Sequence, residues 1–242
     1  MCAASDQTVD PDELMRLAGG ALYWAKSQGR GKTVRYRPEV VRELSVAERA
    51  ERLTRERALA GLRALARAVD AKDHSTREHS ERVATVAGLL GERLGFDPGT
   101  IEALRGAALL HDVGKIGVPD AVLSKPGRLT DEEYEQVKGH AALGARIAAE
   151  VLDAPQVAWI RAHHERWDGG GYPDGLAGDA IPAPARVLAL ADAWDVMRSV
   201  RSYKTPMSVA EAFAECRRHS GGQFWPAAVE ALTQLHAQGR RE

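Results

Sequence analysis

From Asp73 to the end of the chain, apolar residues recur at the three- and four-residue spacing of a helix, and strand-like alternation is essentially missing. Three of these runs open on capping boxes: Ser75-Thr76-Arg77-Glu78, Thr130-Asp131-Glu132-Glu133 and Ser208-Val209-Ala210-Glu211. In each, hydroxyl and glutamate satisfy donors that the start of a helix leaves unpaired. The spacing predicts helices from Ser75 to about Leu94, stopped by Gly95, and from Thr130 to about Leu152. Pro155 and Pro184 stand where first-turn prolines are tolerated. Only 167–183 reads as a long irregular stretch, rich in Gly, Pro and Asp, and so long a loop in a compact domain is usually functional. The expected fold is an all-α bundle with one long Gly/Pro-rich loop.

A chain of 242 residues suits one large domain with a small attachment, and 44% hydrophobic residues suffice for a sizeable core. A net charge of -1 offers no field to draw in nucleic acid or an anionic membrane. With only Cys2 and Cys216, a disulfide framework is not expected, and any metal ligands must be His and carboxylate. No apolar run approaches the roughly 20 residues of a membrane span, and the N-terminus lacks the basic and apolar regions of a signal peptide. A cytoplasmic location is therefore expected. Residues 41–72, dense in Arg, Glu, Ala and Leu, read as a connecting helix that enters the main domain; Leu53, Leu59, Leu62, Leu65, Ala66 and Val69 keep helical spacing. Its charged face reads as solvated, with a homodimer seam as the alternative.

Chemistry concentrates at LeuLeuHisAspValGlyLysIleGlyValPro (109–119). Neighbouring side chains on a helix diverge by about 100°, so His111 and Asp112 share one centre most easily where a helix ends. Imidazole suits first-row transition metals, and a carboxylate with two oxygens can bridge two of them. Further donors stand at His79, His140 and adjacent His163 and His164, which open into the long loop. Asp192 lies inside an apolar run, where a carboxylate is costly unless it pairs with Arg186 or Arg198 or binds a metal. His74 and His219 read as bystanders. Taken together, these five histidines and two aspartates suffice for two metal ions.

Residues 62–235 resemble an HD-GYP domain, a subgroup of HD-superfamily phosphohydrolases that hydrolyses cyclic di-GMP. The matching blocks are HisSerGluArgVal (79–83), the 109–119 segment, LysProGlyArgLeuThrAspGluGlu (125–133) and LysGlyHisAlaAlaLeuGly (138–144). HisHisGluArgTrpAspGlyGlyGlyTyrPro (163–173) and AlaArgValLeuAlaLeuAlaAspAlaTrpAsp (185–195) complete them. The resemblance implies a helical bundle in which His79, His111, Asp112 and Asp192 hold one metal. Asp112, His140, His163 and His164 hold the second, so that Asp112 bridges. It also implies divalent transition-metal ions, iron or manganese by preference. A third-metal glutamate found in some members is replaced here by Ser75, which predicts a two-metal site.

By the same resemblance Asp112 and Lys115 are catalytic, and Lys115 offsets charge on the phosphate. Gly171, Tyr172, Pro173, Arg201 and Lys204 are candidate substrate contacts, Tyr172 by stacking or hydrogen bonding; Asp168 either orients water or shapes its turn. Arg198, Val200 and Ser202 depart from the family's usual Thr/Ser, Asp and Pro, which bears on substrate choice. Residues 1–40 resemble the C-terminal end of a GGDEF (diguanylate cyclase) domain at Ala21, Leu22, Tyr23, Ala25, Lys26, Gly29 and Arg30, without the GGDEF signature, so they are expected to be non-catalytic. The expected organisation is a remnant at 1–40, a connecting helix at 41–61 and the phosphohydrolase at 62–242. The implied function is a bacterial cyclic di-GMP phosphodiesterase that yields pGpG and, in a second step, GMP. Two other readings fit: a phosphohydrolase of another cyclic dinucleotide or a nucleotide, and an adaptor that docks a diguanylate cyclase.

Overall fold

A computed structural model describes residues 50, 53, 54, 57, 58, 60, 61, 63–72, 79–199 and 205–239. The expected GGDEF-like segment at 1–40, the capping box at Ser75, His74, and the candidate contacts Arg201 and Lys204 lie outside the described residues. Residues Ala60–Glu242 make one compact unit. After helical residues 63–72 come α1 (His79–Arg93), α2 (Pro98–Leu110), α3 (Asp120–Leu123), α4 (Asp131–Ala148), α5 (Ala154–Arg161), α6 (Ala183–Arg198), α7 (Val209–Arg218) and α8 (Pro226–Gly239). Two 3-10 turns, Val113–Gly117 and Gly178–Ala180, complete the order. Among the described residues there is no strand, only an isolated bridge between Ser220 and Phe224.

Local chemistry explains where the helices start and stop. Asp70 accepts from the Ser80 hydroxyl at 3.0 Å and its amide at 3.3 Å, which fixes the start of α1. Gly95, at φ +78, ends that helix; its amide bonds Glu92 O while that of Phe96 bonds Gly91 O, the paired pattern of a glycine-terminated helix. Asp97 caps α2 through Thr100 N. The boxes at Thr130 and Ser208 form as expected, each with its glutamate reaching back to the cap amide. Helix α4 ends at Ala148 rather than near Leu152, because the amides of Val151 and Leu152 both turn back to Ala148 O.

Helix α6 is apolar nearly all round, with Ala185, Val187, Leu188, Leu190 and Ala191 buried, and so it runs through the centre of the bundle. Against it pack α1 and α2, which also pack on each other, and Val83, Ala87 and Leu90 of α1 and Leu104, Ala107 and Ala108 of α2 are buried in the same core. The many alanines let these helices approach closely, bringing His79 on α1, the end of α2 and Asp192 on α6 to one place.

The turn after α2 is held by a glycine contact. A Cβ on Gly114 would overlap His140 O and Gly144 N of α4. Gly114→Ala is therefore expected to lift this turn from α4, costing about 3 kcal/mol as an overpacked core site does. Thermal unfolding, with metal content determined on the same sample, measures both effects; an unchanged midpoint would show that the contact has slack.

Candidate metal centre

Helix α2 ends on His111, still helical at φ -55, ψ -36, while Asp112 leaves the helix at φ -97, ψ 3. That break turns two consecutive side chains toward one centre, both buried. His163 and His164 do the same just past the end of α5. His79 comes from the first turn of α1, His140 from the middle of α4 and Asp192 from α6.

Three imidazoles are aimed by backbone carbonyls. His111 Nδ1 donates to Ala108 O at 2.7 Å, His140 Nδ1 to Val137 O at 2.6 Å and His163 Nδ1 to Ile160 O at 2.6 Å. A carbonyl carries no proton, so each Nδ1 must, and whenever the ring is neutral, as a metal ligand must be, the bare lone pair is on Nε2. These lone pairs face inward. His111 Nε2 is buried with no hydrogen-bond partner among the described residues, and His140 Nε2 stands 3.4 Å from His163 Nε2. Two bare nitrogens facing each other repel unless a cation lies between them.

Those donors fall into two groups whose ligand atoms lie within 4.8 Å of one another: Asp112, His140, His163 and His164, and His79, His111 and Asp192. Asp112 touches both groups. Its Oδ1 is 3.3 Å from His140 Nε2, and its Oδ2 is 3.3 Å from His111 Nε2 and 3.9 Å from His79 Nε2. Nitrogen and carboxylate donors without thiolate suit Fe, Mn, Zn or similar divalent ions. The site fits metal ions on two grounds, its orphaned buried nitrogen and its donor set.

Burial and neighbours tune the protonation states of the metal-free protein. Burial, followed by the His164, His111 and His140 charges, holds His163 far below the usual imidazole range, and burial holds His164 down at about 4. Burial would also lower His79, but hydrogen bonds to Asp192 and Asp195 lift it to about 10. Burial pushes Asp112 up, yet Lys115 and His111 hold it well below the carboxylate range. For Asp192, His79 and His111 likewise outweigh burial and keep it ionised.

Asp192 faces His79, at 3.3 Å, and neither of the arginines offered as partners. Arg198 donates to Met207 O, and Arg186 pairs with Asp179 and Ile181 O while lying about 5 Å from the ring centroids of both Trp167 and Trp225. Lys115 Nζ lies 2.8 Å from Asp112 Oδ2. Asp168 is a turn former, paired to Arg166 and accepting from Gly170 N. Gly171 lies where a Cβ would overlap the backbone of Glu165 and Arg166, and a cis bond joins Tyr172 to Pro173. The Tyr172 ring stacks on His164, centroids 4.9 Å apart at 28°. His219 pairs with Glu215, away from the centre.

Sequence reasoning missed a relay behind His79. Asp195 Oδ2 accepts from His79 Nδ1 at 2.7 Å; Arg82 grips Asp195 through Nε at 2.6 Å and Nη2 at 2.8 Å, and Ser199 adds a bond at 3.0 Å. A carboxylate behind a ligating imidazole fixes its tautomer and raises its basicity. The signal was available, since Asp195 follows Asp192 by three residues and so shares its helix face. Glu165, buried, was also missed: it accepts from Asp174 N at 2.7 Å and Leu176 N at 3.0 Å and so holds the loop.

A family model described as an HD domain matches residues 63–227. The chain is 42% identical over 181 residues to the cyclic di-GMP phosphodiesterase response regulator RpfG of Xanthomonas campestris, covering 72% of this chain and 47% of that protein. It is 41% identical over 172 residues to a cyclic di-GMP phosphodiesterase of Thermotoga maritima, covering 69% and 46%. The chain thus spans about half the length of these curated relatives. A solved cyclic GMP-AMP specific phosphodiesterase of V. cholerae shares the fold, with a TM-score of 0.59 at 22% identity over 74% of this chain and 49% of that one.

Two measurements test this centre. Asp195→Asn should lower metal affinity about 10- to 100-fold, as loss of the group behind a ligand does, with helix content unchanged; competition with a chromophoric chelator reads the change. In chelated protein, His79 is raised above its unfolded value of 6.5 to about 10, so its stabilisation is complete below 6.5 and lost as pH climbs through about 10. His164, lowered to about 4, acts in the opposite sense: its stabilisation is present above 6.5 and lost as pH falls toward 4. The two together place the optimum near pH 6.5, and His79→Gln should shrink the alkaline limb of a urea-midpoint profile, leaving the part supplied by His111, which Asp112 also raises against burial. An alkaline limb unchanged by this substitution assigns it to other groups.

Proposed function

This chain belongs to the HD-domain family, and from that premise we propose that it is a metal-dependent phosphodiesterase hydrolysing cyclic di-GMP to pGpG and onward to GMP, acting in the cytoplasm on a bacterial second messenger. The observation that carries this reading is the position of Asp112, whose two oxygens reach two separate groups of imidazole donors. In the proposed site His79, His111, Asp112 and Asp192 hold one ion and Asp112, His140, His163 and His164 the other, with iron or manganese as the preferred metals. Such a pair would supply Lewis acidity, activating water and neutralising phosphate charge.

The protein's own groups define the rest. Water attacks phosphorus and the bond from phosphorus to a ribose 3′ oxygen breaks, leaving a 5′ phosphate and a free 3′ hydroxyl. Charge grows on the phosphoryl oxygens during that displacement, and the Lys115 ammonium, already on Asp112, is the nearby cation able to offset it. The relay of Asp195 and Arg82 keeps His79 Nε2 directed inward. Gly171 lets the loop lie against Glu165 and Arg166, which places Tyr172 over His164 at the edge of the site. Pro173, Arg201 and Lys204 complete the proposed substrate contacts. The proposal keeps residues 1–40 as a GGDEF-like remnant, 41–61 as a connecting helix and 62–242 as the hydrolase, with GGDEF-domain proteins as partners and a homodimer seam along 41–72 as the alternative to a solvated face.

A second reading, hydrolysis of another cyclic dinucleotide, is favoured by one local feature. Arg198, which departs from the family's usual Thr or Ser, donates to Met207 O and so ties the end of α6 to the segment before α7. Anaerobically purified protein with about two metals per chain should hydrolyse cyclic di-GMP, and His111→Ala or Asp112→Ala should reduce the rate by about two to three orders of magnitude. Turnover of cyclic GMP-AMP in preference to cyclic di-GMP would move the assignment to the second reading. Failure both to retain metal and to turn over after reconstitution would sink the enzymatic reading.

A further inference from the structure

Among the described residues, Tyr134 is the aromatic member of the exposed large hydrophobic side chains, 46% accessible. It stands near the start of α4, six residues before His140. Its ring meets Tyr172 edge to face, centroids 6.4 Å apart at 82°, and Tyr172 in turn stacks on His164. Three rings therefore step outward from the metal centre to the surface. Over the outermost ring lies a cation: Lys138 Nζ is 4.8 Å from the Tyr134 centroid and 5.8 Å from that of Tyr172, steadied by Glu135 Oε1 at 2.6 Å.

The fold does not need this exposed ring for its core, since no buried cluster includes it. An aromatic side chain with two torsions, braced by a neighbouring ring, is a surface that binds a partner at low entropic cost. We propose that Tyr134 is the stacking platform for a purine base of the substrate and that Lys138 makes that base guanine. The proposal rests on the phosphodiesterase reading, which places a phosphodiester at the metal centre and so directs its base outward past Tyr172. Every base offers a π-face for stacking, so Tyr134 supplies affinity rather than identity. Identity comes from the ammonium: guanine presents O6 and N7, two acceptors side by side, whereas adenine sets an N6 donor beside N7. As a base stacks on Tyr134, the flexible Lys138 swings from over the ring to the base edge, where its ammonium satisfies the first pair of groups and meets a donor in the second.

Tyr134→Ala, at an exposed position, should leave metal content and unfolding midpoint unchanged and raise KM for cyclic di-GMP about tenfold, with kcat within twofold. Tyr134→Phe should restore KM, because stacking needs no hydroxyl. Lys138→Met should cut the preference for cyclic di-GMP over cyclic di-AMP by about five- to tenfold. An unchanged KM in Tyr134→Ala overturns the platform, and an unchanged preference in Lys138→Met overturns the guanine assignment. If the wild-type chain turns over no cyclic dinucleotide, the phosphodiesterase reading fails by itself. The platform is then read by calorimetry on metal-loaded protein with GMP and ribose 5-phosphate. It stands if GMP binds more tightly and Tyr134→Ala abolishes the difference, and it falls if the two bind alike.

Discussion

The centre depends on a hydrogen bond repeated three times, from an imidazole Nδ1 to the carbonyl three residues earlier. At His111 and His163 that carbonyl belongs to the last turn of a helix, where carbonyls have no helical partner. The imidazole satisfies an acceptor that would otherwise be left bare, and in doing so commits its own proton. What remains on the neutral ring's Nε2 is a lone pair, at His111 toward the group of His79 and Asp192 and at His163 toward that of His140 and His164. Helix ends of this polarity also favour positive charge, since the last carbonyls carry the negative end of the helix dipole. Two helix termini thus aim both their side chains and their dipoles at a place suited to cations.

His79 is oriented differently, and the difference bears on what could be read in advance. At a helix start no carbonyl lies three residues back within the helix, so its Nδ1 is met by Asp195 across the bundle. That pairing spans 116 residues, and Arg82 reaches the same carboxylate over 113. Local patterning shows which residues share a helix face but not which helices meet. Six of the seven proposed ligands were legible because each stands at an odd place in its own segment, a helix end, a helix start or an apolar run; His140, in mid-helix, was carried by the resemblance. Asp195 and Arg82 stand at ordinary places and acquire meaning only when α1 and α6 pack. The arginines weighed as alternative partners of Asp192 show the same thing. Arg186 is near in sequence, but its guanidinium lies against Trp167 and Trp225, and no helical spacing foretells that.

The long loop shows how a segment without regular structure is kept in register with the centre. Arg186 lies on two indoles and pairs with Asp179, Glu165 gathers the amides of Asp174 and Leu176, and Trp167 and Asp168 bond Gln223 O and Gly222 O. Each cation–π contact contributes about 0.5–2 kcal/mol, more as water is excluded. Glycine enters where these ties draw the backbone closest: Gly171 lies against Glu165 and Arg166. Composition alone marked the stretch as irregular and functional. Which polar group satisfies which amide is decided by tertiary contact.

Asp112 sets how the two halves of the centre depend on each other. Each imidazole serves one group of donors, whereas this carboxylate lies against both. In the metal-free protein it is a buried anion among nitrogens, held ionised by Lys115 and His111 against the penalty of burial. In the proposed two-ion site a bound cation would strengthen the same interactions, so binding at either group would stabilise the carboxylate that the other group uses. Binding and folding therefore draw on one free energy here, as in any site whose ligands converge only in the folded chain. The coupling is carried by a side chain whose position follows from a single backbone break, the departure of Asp112 from the helix that ends on His111.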